Sequence, residues 1–155
     1  MPTFVLVHGA WHGGWCWRDV ATRLSAAGHE VFTPTLSGLG ERAHLAKWPI
    51  DLATHISDIE NVIAFEELEK VRLVGHSYGG IVMGTLLAPS ELPQDRAATL
   101  PRTFIYCTER QGKSFSPFAL AAEDDPSWSY RELATAHDAM VTAPAELTKL
   151  LLEVA

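Results

Sequence analysis

Apolar positions fall into short blocks along this chain, and the blocks alternate in period. Thr3-Phe4-Val5-Leu6-Val7-His8 is nearly unbroken apolar sequence ended by Gly9, the pattern of a strand buried on both faces. Trp17, Val20, Leu24 and Ala27 then recur at helical spacing, and Gly28 closes that helix. Residues 29–35 read as a second strand, stopped by Pro34 and the Ser37-Gly38-Leu39-Gly40 turn. Residues 41–50 read as an irregular loop. Asp51 is placed to cap a helix whose apolar face is Leu52, Ile56, Ile59, Ile63 and Leu68. Residues 71–76 form the third strand. The helix over 79–88 is apolar nearly all round, which predicts the most buried helix of the chain. Strands follow at 103–108 and 128–133. Between them Ser116-Pro117 signals a short helix through Ala122, and a last helix is expected over 144–154.

Strands alternating with helices imply an α/β three-layer sandwich, a mostly parallel sheet of about five strands covered on both faces. Right-handed crossovers leave few strand orders, and the simplest is 2-1-3-4-5. Its switch point lies between the first and third strands, where the Gly9-Ala10 loop and the Gly75–Ser77 turn flank the expected ligand crevice. The length of 155 residues fits one domain over 1–155, enough to bury roughly 70% of the unfolded surface.

A net charge of -7 without any Lys/Arg cluster excludes nucleic acid as a partner. No leader pattern and no membrane-length apolar run are visible, so a cytoplasmic protein without a membrane partner is expected. Cys16 and Cys107 are the only cysteines and are expected to be reduced, buried thiols. His8 and His12 are four apart, but Gly9, Gly13 and Gly14 make that stretch a loop, so no metal site is expected there. Trp11, Trp15 and Trp17 are expected to pack the first loop and helix against the sheet.

Gly75-His76-Ser77-Tyr78-Gly79 fits G-x-S-x-G between a buried strand and a buried helix. Small neighbours are needed there because strand and helix approach closely. The turn presents the Ser77 hydroxyl at the top of the sheet, and the Tyr78 N–H, at a helix start, can stabilise an oxyanion. The plainer alternative makes Ser77 an ordinary N-cap. Of the seven histidines, His137 is best placed as the base, after the last strand and before the last helix. His76 reads as structural, His8 as a shaper of the first loop, and His29, His44 and His55 as surface or loop residues. The acid that orients the base should follow the fourth strand, where Glu109 is the first carboxylate. An exposed strand-end glutamate is the competing reading. Asp124 and Asp125 look like a helix-end turn, and Asp138 adjoins the base too closely to orient it.

Phe4-Val5-Leu6-Val7-His8-Gly9-Ala10-Trp11-His12-Gly13-Gly14-Trp15-Cys16-Trp17 and Gly75-His76-Ser77-Tyr78-Gly79-Gly80 together resemble the α/β-hydrolase superfamily. The resemblance is to the branch of plant-type methylesterases, hydroxynitrile lyases and related bacterial esterases. Phe104-Ile105-Tyr106-Cys107-Thr108-Glu109 and His137-Asp138-Ala139-Met140 are similar to the bacterial esterase type. The resemblance implies Ser77 as nucleophile, His137 as base and an oxyanion hole from the Ala10 and Tyr78 N–H groups. It implies a small-molecule ester substrate and no cofactor. Gly9 and Asp138 stand where the lyases carry a threonine and a lysine, which favours the esterase.

Members of this branch continue, after the helix that follows the nucleophile, with another core strand and a helical cap. Here the join near 89–101 leads straight to the next strand, so the cap and one strand are expected to be absent. Closing the sheet over that gap would bring the later strands about 4.8 Å nearer the serine strand. That exceeds the tolerance of a Ser–His hydrogen bond of about 2.6–3.2 Å. The exposed crevice suggests a homodimer, with exchanged elements. A serine carboxylesterase for small esters is the first functional reading. A catalytically silent core that binds small hydrophobic molecules is the second, and a hydroxynitrile lyase the third.

Overall fold

The computed structural model describes residues 1–87, 100–109 and 115–155. The join near 89–101 therefore lies almost wholly outside the described residues. So does the end of the 79–88 helix.

Five strands alternate with helices: β1 (Thr3–Val7), β2 (Val31–Phe32), β3 (Val71–Gly75), β4 (Arg102–Cys107) and β5 (Trp128–Leu133). The helices are α1 (Arg18–Ala26), α2 (Leu52–Phe65), α3 (Tyr78–Leu86), α4 (Ser116–Asp124), α5 (Ala139–Thr142) and α6 (Pro144–Glu153). All pairings are parallel, as buried αβ units require, and the first three strands take the order β2-β1-β3. β4 pairs with β5 over their full lengths, from Arg102↔Trp128 to Cys107↔Leu133. β3 and β4 do not pair, so the sheet is two parallel half-sheets rather than one run of five. Among the described residues no hydrogen-bond ladder joins β3 to β4.

β1 explains how the halves are held. Its side chains alternate between faces, as the two-residue period of a strand demands. Phe4 and Leu6 join Trp17, Val20 and Leu24 on one side, with Met140, Leu147 and Leu151 from α5 and α6. Leu133 of β5 belongs to the same cluster, and Ile105 and Cys107 of β4 pack on it. This helical layer thus bridges both half-sheets. Val5 and Val7 face the other way, into a smaller cluster with Leu36, Ile59 and Val82 beneath α2 and α3.

Local chemistry sets the element ends. Gly28 takes φ 91 after α1, a left-handed conformation that side chains resist. Asp51 caps α2 through a capping box with Thr54. β2 is shorter than the expected 29–35. Beyond Phe32 the backbone leaves β1 for side-chain partners: Gly14 N–H donates to Thr35 Oγ1 (2.7 Å) and Leu36 N–H to His8 Nε2 (3.0 Å). Residues 40–47 are a 3-10 helix rather than an irregular loop.

Three further expectations are corrected. α3 is not the most buried helix: only Gly79 and Val82 are buried, and Ile81 is 57% exposed. It packs on β3, the edge of its half-sheet, so much of its circumference faces the gap. Trp17 is core, but Trp11 and Trp15 are exposed; Trp11 sits at φ 67, which turns its ring away from the sheet. Cys16 is buried and its thiol is pushed up to about 12 by burial, whereas Cys107 is only half-buried; both are free thiols. No described helix is long and apolar enough to cross a membrane.

Candidate active site

The turn after β3 carries the clearest local signature. Ser77 sits at φ 53, ψ -116, a strained conformation for a residue with a Cβ. What holds it there is the closeness of the surrounding backbone. A Cβ on Gly75 would stand 2.6 Å from the Gly79 carbonyl oxygen. One on Gly79 would stand 2.5 Å from the Val7 oxygen and 2.7 Å from that of His8. Both glycines of the motif are therefore needed for contact distance. The His76 N–H donates to Val7 O (3.0 Å) and the Gly79 N–H to His76 O (2.8 Å), closing the turn against β1. The Tyr78 N–H is the first of α3, where a helix has no acceptor of its own to offer. No hydrogen bond from the Ala10 N–H occurs among the described residues. The Ala10 carbonyl is held by His12 Nδ1–H at 2.8 Å.

Ser77, Tyr78 and His137 line one cavity of about 710 Å³ that continues down the gap between the half-sheets. The His137 ring stacks on Phe115 (centroids 4.6 Å apart) and leans on His76 (4.5 Å). It makes no hydrogen bond to Ser77 or to a carboxylate among the described residues. Glu109 lies at the end of β4, where its N–H donates to Thr135 O (3.0 Å). Its carboxylate is exposed, with no described partner. Asp125 accepts from the Ser127 N–H (2.8 Å) in the helix-end turn the sequence suggests.

Sequence reasoning missed a second arrangement beside the serine. Asp138 Oδ1 lies 3.5 Å from His76 Nε2 and 3.7 Å from His12 Nε2. His76 Nε2 also donates to the His137 carbonyl at 3.0 Å. A carbonyl only accepts, so Nε2 carries the proton and Nδ1 holds the lone pair. Among the described residues that lone pair, buried against Gly9, meets no donor. Potential ligand atoms of His76, His137 and Asp138 lie within 4.8 Å of one another. With Nε2 occupied as a donor, His76 has no lone pair to offer a cation there. Only His12, four residues after His8 in a glycine-rich loop, offered any sequence hint of this cluster.

Two histidines have settled structural roles. His8 Nε2 accepts from Leu36 N–H, so its Nδ1–H donates to Gly9 O (2.7 Å), which fixes the loop as expected. His55 is a correction: it is buried, not on the surface. It bridges the Tyr78 hydroxyl (2.8 Å) and Ser37 O (2.9 Å), and Ser37 in turn is held by Asp58. This chain of bonds ties the residue after Ser77 to α2.

Burial drives His76 down to about 4, with the neighbouring His137 second. The sign follows from proton counting. Between the ordinary histidine value of about 6.5 and 4, the unfolded chain binds a proton that the folded protein does not, so stability falls as pH falls through that window. Above it, the group contributes no slope. The expected loss is about 3 kcal/mol across the window. His76→Gln, which keeps a donor for the His137 carbonyl, is expected to flatten that acid limb in urea unfolding measured from pH 7 to 4.

Comparison with known proteins agrees with this geometry. Residues 4–153 match the model of the alpha/beta hydrolase family. The chain is 52% identical over 106 residues to a carbendazim hydrolyzing esterase of Nocardioides sp. (strain SG-4G), covering 68% of this chain and 41% of that one. It is 33% identical over 144 residues to Methylesterase 2 of Arabidopsis thaliana, covering 85% of this chain and 51% of that one. The chain thus spans about half the length of these relatives or less. Among solved structures, tomato methylketone synthase I with 2-tridecanone superposes with TM-score 0.83 at 17% identity, over 99% of this chain and 97% of that one. An Arabidopsis methylesterase gives 0.82 at 20% identity, over 99% and 98%. With the family match spanning nearly the whole chain and the strained serine turn at its centre, this chain belongs to the alpha/beta hydrolase family.

Proposed function

We propose that this chain is a capless serine hydrolase that cleaves small, accessible carboxylic esters. The observation that carries the reading is the Ser77 backbone at φ 53, ψ -116 at the head of a cavity shared with His137. Ser77 Oγ attacks the ester carbonyl while His137 takes its proton and returns it to the leaving alcohol. The tetrahedral oxyanion is received by the Tyr78 and Ala10 N–H groups. Water, activated by the same imidazole, then releases the acid from the acyl-serine. Glu109 is the residue proposed to orient His137, which requires its exposed side chain to swing toward the ring on substrate binding. Apo contacts of this kind commonly tighten only in the complex. The names of the relatives, an esterase for carbendazim and a methylesterase, support an ester as substrate.

One observation favours a second reading. Among the described residues neither Ser77 nor a carboxylate is bonded to the His137 ring, as expected of a catalytically silent core. A fluorophosphonate separates the two, because it reacts only with an activated serine. A single adduct located on Ser77 by mass spectrometry, lost after heat denaturation, is the expected result. An unlabelled but folded protein would favour the silent core.

A further inference from the structure

The loop after β1 contains a strained residue that its own side chain does not explain. Ala10 and Trp11 form a turn there. Trp11 takes φ 67, the left-handed value that the third residue of a type II turn needs and that glycine normally supplies. Its indole is 91% exposed, so packing of that ring does not hold the backbone in place. Among the described residues its N–H makes no backbone hydrogen bond. Rotating the Ala10–Trp11 peptide by half a turn would convert such a turn to type I, with Trp11 at an ordinary negative φ. The same rotation would reverse the Ala10 carbonyl.

His12 opposes that rotation. Its Nδ1–H donates to the Ala10 carbonyl at 2.8 Å. The ring is steadied by its neighbours. It tilts on Trp15 (centroids 5.6 Å apart) and meets His76 edge-on (5.9 Å). Asp138 Oδ1 stands 3.7 Å from its Nε2, an ion pair when the ring is protonated. Once reversed, the carbonyl would lose this donor. The negative end of a peptide dipole would then stand unmatched in the residue whose N–H is proposed to receive the oxyanion. We propose that His12 is a positioning residue for ester hydrolysis, which holds the Ala10–Trp11 peptide in the strained orientation that suits an oxyanion at the Ala10 N–H. Its effect on the reaction rests on the hydrolase reading above; its hold on the peptide does not.

Two readouts test this. The coupling between the Trp11 amide and Hα protons, measured by NMR, reports φ without any reaction. It is expected to be left-handed in the parent and extended in His12→Phe, which keeps a ring between Trp15 and His76 but removes the donor. His12→Asn, whose side-chain N–H sits near the place of Nδ1–H, should restore the left-handed value. The second readout is p-nitrophenyl acetate hydrolysis. His12→Phe is expected to lower kcat about thirtyfold at nearly unchanged KM, and His12→Asn to recover most of it. Trp11→Gly should also recover most of the loss in the His12→Phe background, because glycine takes a positive φ without strain. A ring that merely supported the fold would show no such rescue. His12→Ala replaces His12→Phe in every comparison where the phenyl does not fit. A left-handed Trp11 in the donorless variant overturns the proposal, and so does a kcat loss that Trp11→Gly leaves intact. A parent with neither turnover nor a fluorophosphonate adduct overturns the hydrolase reading instead, and the coupling still decides what His12 holds.

Discussion

Ser77→Ala is expected to keep the fold and lower kcat/KM for p-nitrophenyl acetate by at least about a thousandfold. The loss should fall on kcat, since a small acetyl ester draws little ground-state binding from one hydroxyl. His137→Ala should match it, and the double variant should be no worse than either single one. Residues of one catalytic unit lose their effect together, not in sum. The proposed oxyanion donors of Tyr78 and Ala10 are backbone groups, so substituting those side chains would test nothing about the oxyanion. If Ser77→Ala and the parent hydrolyse the ester equally, the strained turn is architecture only. If both alanine variants are silent but Glu109→Gln retains full activity, the acid lies elsewhere and the nucleophile and base stand.

Gly79→Ala is expected to cost stability as well as activity. The added methyl would meet two backbone oxygens, those of Val7 and His8, at 2.5 and 2.7 Å. Backbone cannot rotate aside as a side-chain tip can, so α3 must lift off β1 or the turn must relax. Over-packing of this severity costs about 3 kcal/mol, at the upper end of its usual range. For a domain of this size that lowers the thermal midpoint by about 6–12 °C. Gly80→Ala is the internal control: its nearest neighbour would be 3.9 Å away, ordinary contact, and little change is expected. Calorimetric scans of the three proteins at one pH decide the matter. A midpoint for Gly79→Ala equal to that of the parent would mean the strand–helix approach is looser than the turn geometry indicates.

What the chain betrays of itself follows from how local the cause is. β5 occupies 128–133 as expected, and α2 starts at its Asp51 cap, because those signals act within a few residues. The serine turn is legible for the same reason. The shortness of β2 is not, since it depends on His8 reaching Leu36 across 28 residues of sequence. Nor is the burial of His55, which answers to Tyr78 and Ser37 on other elements. The apolar run of α3 overstated its burial because burial needs a neighbour, and the sheet ends beside it. The His76–Asp138 contact joins residues that share no motif, and only folding brings them together.

The break between β3 and β4 bears on how this protein comes apart. Among the described residues no hydrogen-bond ladder passes strain from one half to the other, and the helical layer of α1, α5 and α6 couples them. Ladder bonds fail together and side-chain contacts one at a time. The β4–β5 half, with α4 against it, thus has the makings of a separate opening unit, whose amides would exchange with solvent before those of β1 and β3. The base candidate follows β5 and the nucleophile candidate follows β3. In this chain, keeping the chemistry aligned and keeping the two units docked are therefore one and the same equilibrium.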